Sequence, residues 1–436
     1  MMIRLLLIGL LTVPATVQAV QPVQPPGLMP TEIARPLLEQ DPGVAAARAG
    51  LDVALQEADI LDKSPHEWTA RATGQQRRLD SGPRYNEWNV GIERTLRLPG
   101  KAAADRDLGR ATVAESQARH GAVLQETARE LMASWVDWLA AESARELAEN
   151  SLQSAQASLA AVEKRVRAGD ASKLDLSIAR AELAEQRRLD NDAKTQAFAA
   201  WSRLSTRFPG VKHQIQALPA PLRIGEDAAF WRERILAQSD ELKVVQTQMR
   251  MAEARAERAR ADKTPDPTLG VYTASEAGGT ERIGGIMISI PIPGGARDSR
   301  SAKAIAEVAV SRREIELRQR QMEAGIASAI VTARGAYDSL QIAHEGAAAM
   351  QENAALMQRA YALGEAELQA VLLARRQAST ALNNALQAQV AALKAYYGLL
   401  VDAHLIWNLE HDQDSTIGLR HAGRMDNSIT MKGITP

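Results

Sequence analysis

The chain has 436 residues, carries 52 Lys and Arg against 53 Asp and Glu, contains no cysteine, and is only 4% aromatic. Length alone suggests two or three globular domains, but cores of that size lean on Phe, Tyr and Trp, and here Ala, Leu, Gln, Glu and Arg dominate, which points to long helices and coiled coils. A net charge of −1 without a basic arm or face argues against nucleic acid as a partner, and the lack of cysteine excludes disulfides, thiolate metal sites, a Cys nucleophile and a lipid carried on an N-terminal Cys.

The first element is an export signal. Arg4 gives a positive start, Leu5 to Val13 form an apolar run, and Val17-Gln18-Ala19 offers small residues where a signal peptidase reads, so cleavage is expected after Ala19. The run is far shorter than the roughly twenty apolar residues of a spanning helix, and Pro14 interrupts it. No later segment is long and apolar enough to cross a bilayer as a helix, so the mature chain is either soluble and exported or crosses as strands. Residues 20–30 form a Pro-rich extended leader.

A first helical stretch ends at Ser64-Pro65, because proline disfavours helical backbone in the residue before it. The period then changes from helical to two. WTARATGQQ from Trp68 and WNVGIERTL from Trp88 read as strands around a turn at Asp80, Ser81, Gly82 and Pro83, giving a hairpin over 68–96. Trp88, Val90 and Ile92 share one face, with Asn89, Gly91 and Glu93 on the other. After Gly100 a proline-free run from Ala102 to Ala168 predicts one long helix, in which Leu124, Ala128, Leu131, Trp135 and Trp138 step by four and three as coiled-coil positions do. A turn near Gly169 sends the chain back through a helix over 172–208, and residues 209–229 form a linker.

The second half repeats the first. Asp41 to Pro65 aligns without gaps on Glu241 to Pro265 at an offset of 200, and Val166 to Arg180 aligns on Tyr361 to Arg375 at an offset of 195. Repeat 1 therefore covers 31–208 and repeat 2 covers 230–407, leaving a tail over 408–436. Repeat 2 supplies a hairpin over 268–292, in which Ile286, Ile288 and Ile290 share a face. A long helix over 296–363, a turn near Gly364 and a returning helix to about Trp407 complete it.

Two hairpins are too few for a large self-sufficient sheet. Alternating strands near the nine to eleven residues that cross a bilayer suit a barrel wall, with Trp88, Val90, Ile92, Ile286, Ile288 and Ile290 toward lipid. Four strands cannot close a barrel, so the open edges demand oligomerisation, and three copies would give about twelve strands. A small soluble sheet capping a helical bundle is the competing reading.

The whole pattern resembles the TolC-like outer-membrane efflux protein family, over nearly all of the mature chain. The matches that carry it are RVRAGDASKLDLSIARAEL from Arg165, RAYALGEAELQAVLLARRQ from Arg359, and TLRLPGKAAADRD from Thr95, the last similar to the heavy-metal (cobalt-zinc-cadmium) branch. The resemblance implies a mainly α fold with a small β part: a trimeric α-helical coiled-coil barrel joined to a shared transmembrane β-barrel. It implies an outer-membrane location, contact with outer-membrane lipid, and a passive exit duct in a tripartite efflux system. The partners implied are two further copies, a periplasmic adaptor, and an inner-membrane pump of RND type.

Adaptor docking falls, by the same resemblance, at the glycine turns, with Gly169, Asp170 and Ser172 in one and Gly364, Glu365 and Glu367 in the other. Acids at the start of a returning helix are equally explained by helix-terminus electrostatics, which applies to Asp170 and Glu365. Asp175 stands where the family often places an inward-facing acid at the aperture, with Arg167 nearby, and the matching second-half position is Ala370, a departure. The alternatives are a drug-efflux or type I protein-secretion channel, or a periplasmic coiled-coil adaptor without a barrel. The seven histidines form neither HxxxH nor HExxH, and no phosphate loop or nucleophile elbow is present, so neither a metal site, a cofactor nor catalysis is expected.

Overall fold

The computed structural model describes residues 25–409 apart from 79, 81 and 226. The export signal, the first five residues of the leader and nearly all of the tail lie outside the described residues. Helices α1 (Thr31–Glu39) and α2 (Pro42–Asp62) lead to strands β1 (Thr69–Arg78) and β2 (Arg84–Thr95), then to α3 (Pro99–Ala168) and α4 (Lys173–Arg207). The second half runs through α5 (Ala228–Gln238), α6 (Asp240–Ala261), β3 (Thr268–Glu276), β4 (Glu281–Ser289), α7 (Gly295–Leu363) and α8 (Leu368–Asp402).

Each half thus opens with a short helix and a longer one, where the sequence pattern read a single helical stretch. The breaks come from caps. Asp41 accepts from the amides of Gly43 at 2.8 Å and Val44 at 3.2 Å, with Pro42 fixing the first turn, and Ser239 accepts from Leu242 at 3.1 Å. Helix α8 ends at Asp402 rather than near Trp407 because the backbone turns at Ala403 and His404, Trp407 and Asn408 take positive φ. Trp407 is buried there and donates through Nε1 to the carbonyl of Met29 at 2.8 Å.

Helices α3 and α7 contain 70 and 69 residues, so each reaches about 100–105 Å at 1.5 Å per residue. Helix α3 packs against α2 and α6 toward the sheet and against α4 and α8 toward the opposite end, and α7 packs against α6 and α8. The main core lies midway, where both sets of helices meet. Leu124, Leu131, Trp138, Leu204, Trp231, Ile330, Leu393 and Tyr397 all belong to it. The predicted seam of Leu124, Ala128, Leu131, Trp135 and Trp138 is wholly buried.

Leader and linker are fastened onto this waist rather than hanging free. Tyr397 donates its hydroxyl to the Pro26 carbonyl, and Trp135 Nε1 and Gln216 Nε2 both donate to Gly27 O. Gln389 holds the linker carbonyls of Leu218 and Pro219.

The strands form one antiparallel sheet in the order β1-β2-β3-β4, with β1 and β4 at its edges. Register puts Ala72, Val90 and Thr273 in line, and likewise Ala70, Ile92, Val271 and Ile286. Trp88, Val90, Ile92, Ile286 and Ile288 are exposed on this apolar face. The other face is polar. Arg71 pairs with Glu93 at 2.8 Å, Gln75 donates to Glu87 at 2.8 Å, and Arg77 reaches both Glu87 and Glu276. Tyr272 lies on it across Gly285, where a Cβ would sit 2.6 Å from the ring, so that position admits no side chain without moving the tyrosine. One expectation needs correction: β4 ends at Ser289, so Ile290 lies past the strand, exposed in the link to α7. Pro291 follows it and supplies no ladder donor.

Candidate functional site

The two glycine turns close in the same way. Gly169 takes φ +86° and Gly364 takes φ +80°. Gly169 donates to Val166 O and Asp170 to Arg165 O, and Gly364 and Glu365 make the matching bonds to Tyr361 and Ala360. Each is a Schellman ending, which satisfies the last carbonyls of a helix and needs a residue tolerant of left-handed backbone. Nothing lies within 4 Å of a Cβ built on either glycine, so the requirement is backbone geometry alone.

The helices that return from the turns start differently. Ser172 and Asp175 form a reciprocal capping box: Ser172 Oγ accepts from the Asp175 amide at 3.0 Å, while the Asp175 carboxylate accepts from the Ser172 amide at 3.0 Å and its hydroxyl at 2.8 Å. In the second tip Glu367 occupies the cap position without a side-chain bond to the backbone, and Ala370 stands where Asp175 would be. Asp175 is therefore fixed by its own helix start while remaining half-exposed.

The two tips sit side by side. The Arg165 guanidinium lies 4.8 Å from the centre of the Tyr361 ring, and Arg165, Asp175, Tyr361 and Glu367 line one shared notch. Behind it Val162, Ala179, Leu368 and Leu372 form a small apolar cluster. Deeper along the helices Arg376 binds buried Glu182 at 2.6 Å, and Arg375 donates to Gln358. Burial pulls the Arg375 guanidinium below its ordinary pKa, against the attraction of Glu182. Arg167, Asp170, Ser172, Glu365 and Glu367 are exposed or half-exposed around the notch, and Arg167, Asp170, Glu365 and Glu367 make no ion pair among the described residues.

At the other end, the passage from helices to sheet is tied by buried charge. Lys101 is almost fully enclosed and bonds Asp262 at 3.2 Å and Asp266 at 3.1 Å. Asp105 pairs with Arg97 and Arg258, and Arg97 also caps the end of α2 at the carbonyls of Leu61 and Asp62. His66 Nε2 lies 3.4 Å from Asp266 Oδ2, and these two positions are equivalents at the repeat offset of 200. Burial opposes ionisation of Asp266, but the Leu98 amide and the Lys101 ammonium outweigh it and hold the carboxyl below its ordinary range. This junction escaped the sequence reading, although Asp262, Asp266 and Lys101 all flank the Pro265 and Pro99 markers.

An apolar-outside, polar-inside sheet with open edges, carried on a pair of helical hairpins too long for a globule, is the protomer architecture of an outer-membrane channel. The chain belongs to the outer membrane efflux protein family, whose model matches residues 34–207 and 231–400, one segment in each half. A comparison with curated proteins finds no match. Among solved structures, CusC, studied for folding and transmembrane channel formation, superposes with a TM-score of 0.70 at 19% identity, covering 85% of this chain and 92% of that one. The CmeC outer membrane channel of Campylobacter jejuni gives 0.73 at 13% identity over 90% and 89%. The open MtrE outer membrane channel of Neisseria gonorrhoeae gives 0.69 at 17% identity over 87% and 90%. These likenesses establish the fold.

Proposed function

We propose that the protein is the passive outer-membrane exit duct of a tripartite efflux system, built from three copies. The observation that carries this reading is the sheet: its faces differ in polarity, both edges are open, and three such sheets close a wall of about twelve strands. Helices of this length then extend the lumen into the periplasm. Energy comes from an inner-membrane pump of RND type, reached through a periplasmic adaptor that docks at the Gly169 and Gly364 tips. Asp175, with Arg167 of the same tip, lines the aperture, where its fixed carboxylate presents charge without needing to reorganise.

The cargo proposed is heavy-metal cations. On the polar face of the sheet Glu87, Glu93, Glu276 and Glu281 outnumber Arg71 and Arg77, which favours cations that must be attracted without being trapped. The Leu98-Pro99-Gly100-Lys101 motif that suggested this branch works structurally, since its lysine is enclosed between Asp262 and Asp266.

Fractionation of cells expressing the full chain tests the duct. The protein is expected in the outer membrane as trimers that conduct when placed in planar bilayers, and recovery as a soluble periplasmic monomer overturns the reading. Deletion is expected to sensitise the host to cobalt, zinc or cadmium. Sensitivity to organic drugs alone moves the cargo to the drug-efflux class.

A further inference from the structure

The apolar face of the sheet ends in arginine. In the first hairpin the last pair before the turn is Arg78 opposite Arg84, and Arg84 lies four residues beyond Trp88 on the same face. In the second hairpin the last outward-facing pair is Ser275 opposite Arg282, in line with Trp88 and so four residues short of the Arg78–Arg84 level. The neighbouring acids Glu276 and Glu281 point to the other face, where Arg77 engages Glu276. Arg78, Arg84 and Arg282 are exposed, and none forms an ion pair among the described residues.

Like charges directly opposite on neighbouring strands repel and destabilise a sheet. A pair such as Arg78 and Arg84 therefore calls for an anion from outside the chain. Its position says which. At the far end of the same face of β2 stands Arg94, its guanidinium 5.6 Å from the centre of the exposed Trp68 ring. An aromatic side chain beside a cation suits a membrane–water interface. From Arg94 to Arg84 the strand runs about 33 Å, which at a tilt of about 40° is about 25 Å along the membrane normal, the height of an apolar barrel band. The two arginine levels thus bracket the hydrocarbon, and the hairpin turns lie at the end away from the helices.

We propose that Arg78 and Arg84 bind the phosphate groups of an anionic lipid in the outward leaflet. Guanidinium forks match phosphate oxygens two at a time, and two of them facing each other at one headgroup level offer more than diffuse attraction. The inference rests on the membrane-barrel reading above, since only that reading puts lipid against this face.

The test uses the full-length channel purified from outer membranes in detergent and titrated with lipid A, a bisphosphorylated glycolipid, with binding read by native mass spectrometry and by the rise in melting temperature. Wild type is expected to bind lipid A. The double variant Arg78→Gln/Arg84→Gln is expected to bind at least about tenfold more weakly, on the scale of losing several charge-assisted contacts. Trimer mobility and helical circular dichroism should be unchanged. If the double variant does not assemble, Arg84→Gln alone is expected to lose about threefold, on the same reasoning. Undiminished lipid A binding by whichever variant assembles overturns the proposal. So does an equal response of wild type to inorganic phosphate, which would make this a free-anion site. Failure of the barrel reading looks different, because wild type itself would then be missing from the outer-membrane fraction.

Discussion

At Gly169 and Gly364 a single dihedral decides whether a helix of seventy residues stops. Both take φ near +80°, both lie in open space, and both close the same pair of backbone bonds. A β-branched side chain at such a φ costs on the order of 1–3 kcal/mol. The cost falls on the turn, since no neighbour would be touched and the main core lies at the waist. Gly169→Val and Gly364→Val are therefore expected to leave trimer yield and melting temperature nearly unchanged while distorting the tip. On the proposed docking role, each variant lowers adaptor pull-down and efflux several-fold; if both retain wild-type efflux, docking is elsewhere. The glycines could be found in the sequence because they punctuate long proline-free runs. The Arg165–Tyr361 contact could not, since it joins positions in different repeats that no local period connects.

Among the elements, those governed by one repeating requirement were the legible ones. The seam of α3 and the alternation in β2 each satisfy a single period over many residues, so pattern and structure agree. Where tertiary contacts set the outcome, pattern failed: α8 stops at Asp402 because Trp407 is drawn to Met29 O, and neither glycine nor proline announces it. The junction between helices and strands is of the same kind, since buried charges carry no periodic signal. Its energetics can be stated. Lys101→Met leaves Asp262 and Asp266 without their shared cation, and a broken buried pair costs about 3–5 kcal/mol. The low end applies, because Asp262 reaches water and keeps Arg258.

The pH dependence of that loss follows from Asp266. Its folded pKa is depressed, so the stability it lends is present above the ordinary carboxylate value of 3.8 and fades as pH falls through the lower folded value. The melting deficit of Lys101→Met should therefore be full at pH 7 and shrink at pH 3. Adding Asp266→Asn should recover part of it at pH 7. A deficit equal at both pH values would show that Lys101 acts by packing alone.

For the molecule as a whole, the question is whether the sheet faces lipid or water, and two adjacent residues can answer it. Val90 and Asn89 lie side by side in β2, between Trp88 and Ile92, and point to opposite faces. In a barrel they sit near the middle of the membrane, where an outward arginine costs about 2–4 kcal/mol per copy and an inward one meets water. Three copies multiply the outward cost, so Val90→Arg is expected to abolish most of the heat-resistant trimer in the outer membrane. Asn89→Arg should assemble normally and lower cation conductance, because it adds positive charge beside Glu87 and Glu93. A soluble sheet capping a bundle predicts something else, since both faces then meet water and both variants should be tolerated alike. Equal assembly of the two variants would remove the barrel. It would also remove the reason for an exported chain with long helices, few aromatics and a nearly neutral charge to expose Val90, Ile92, Ile286 and Ile288 in one continuous stripe.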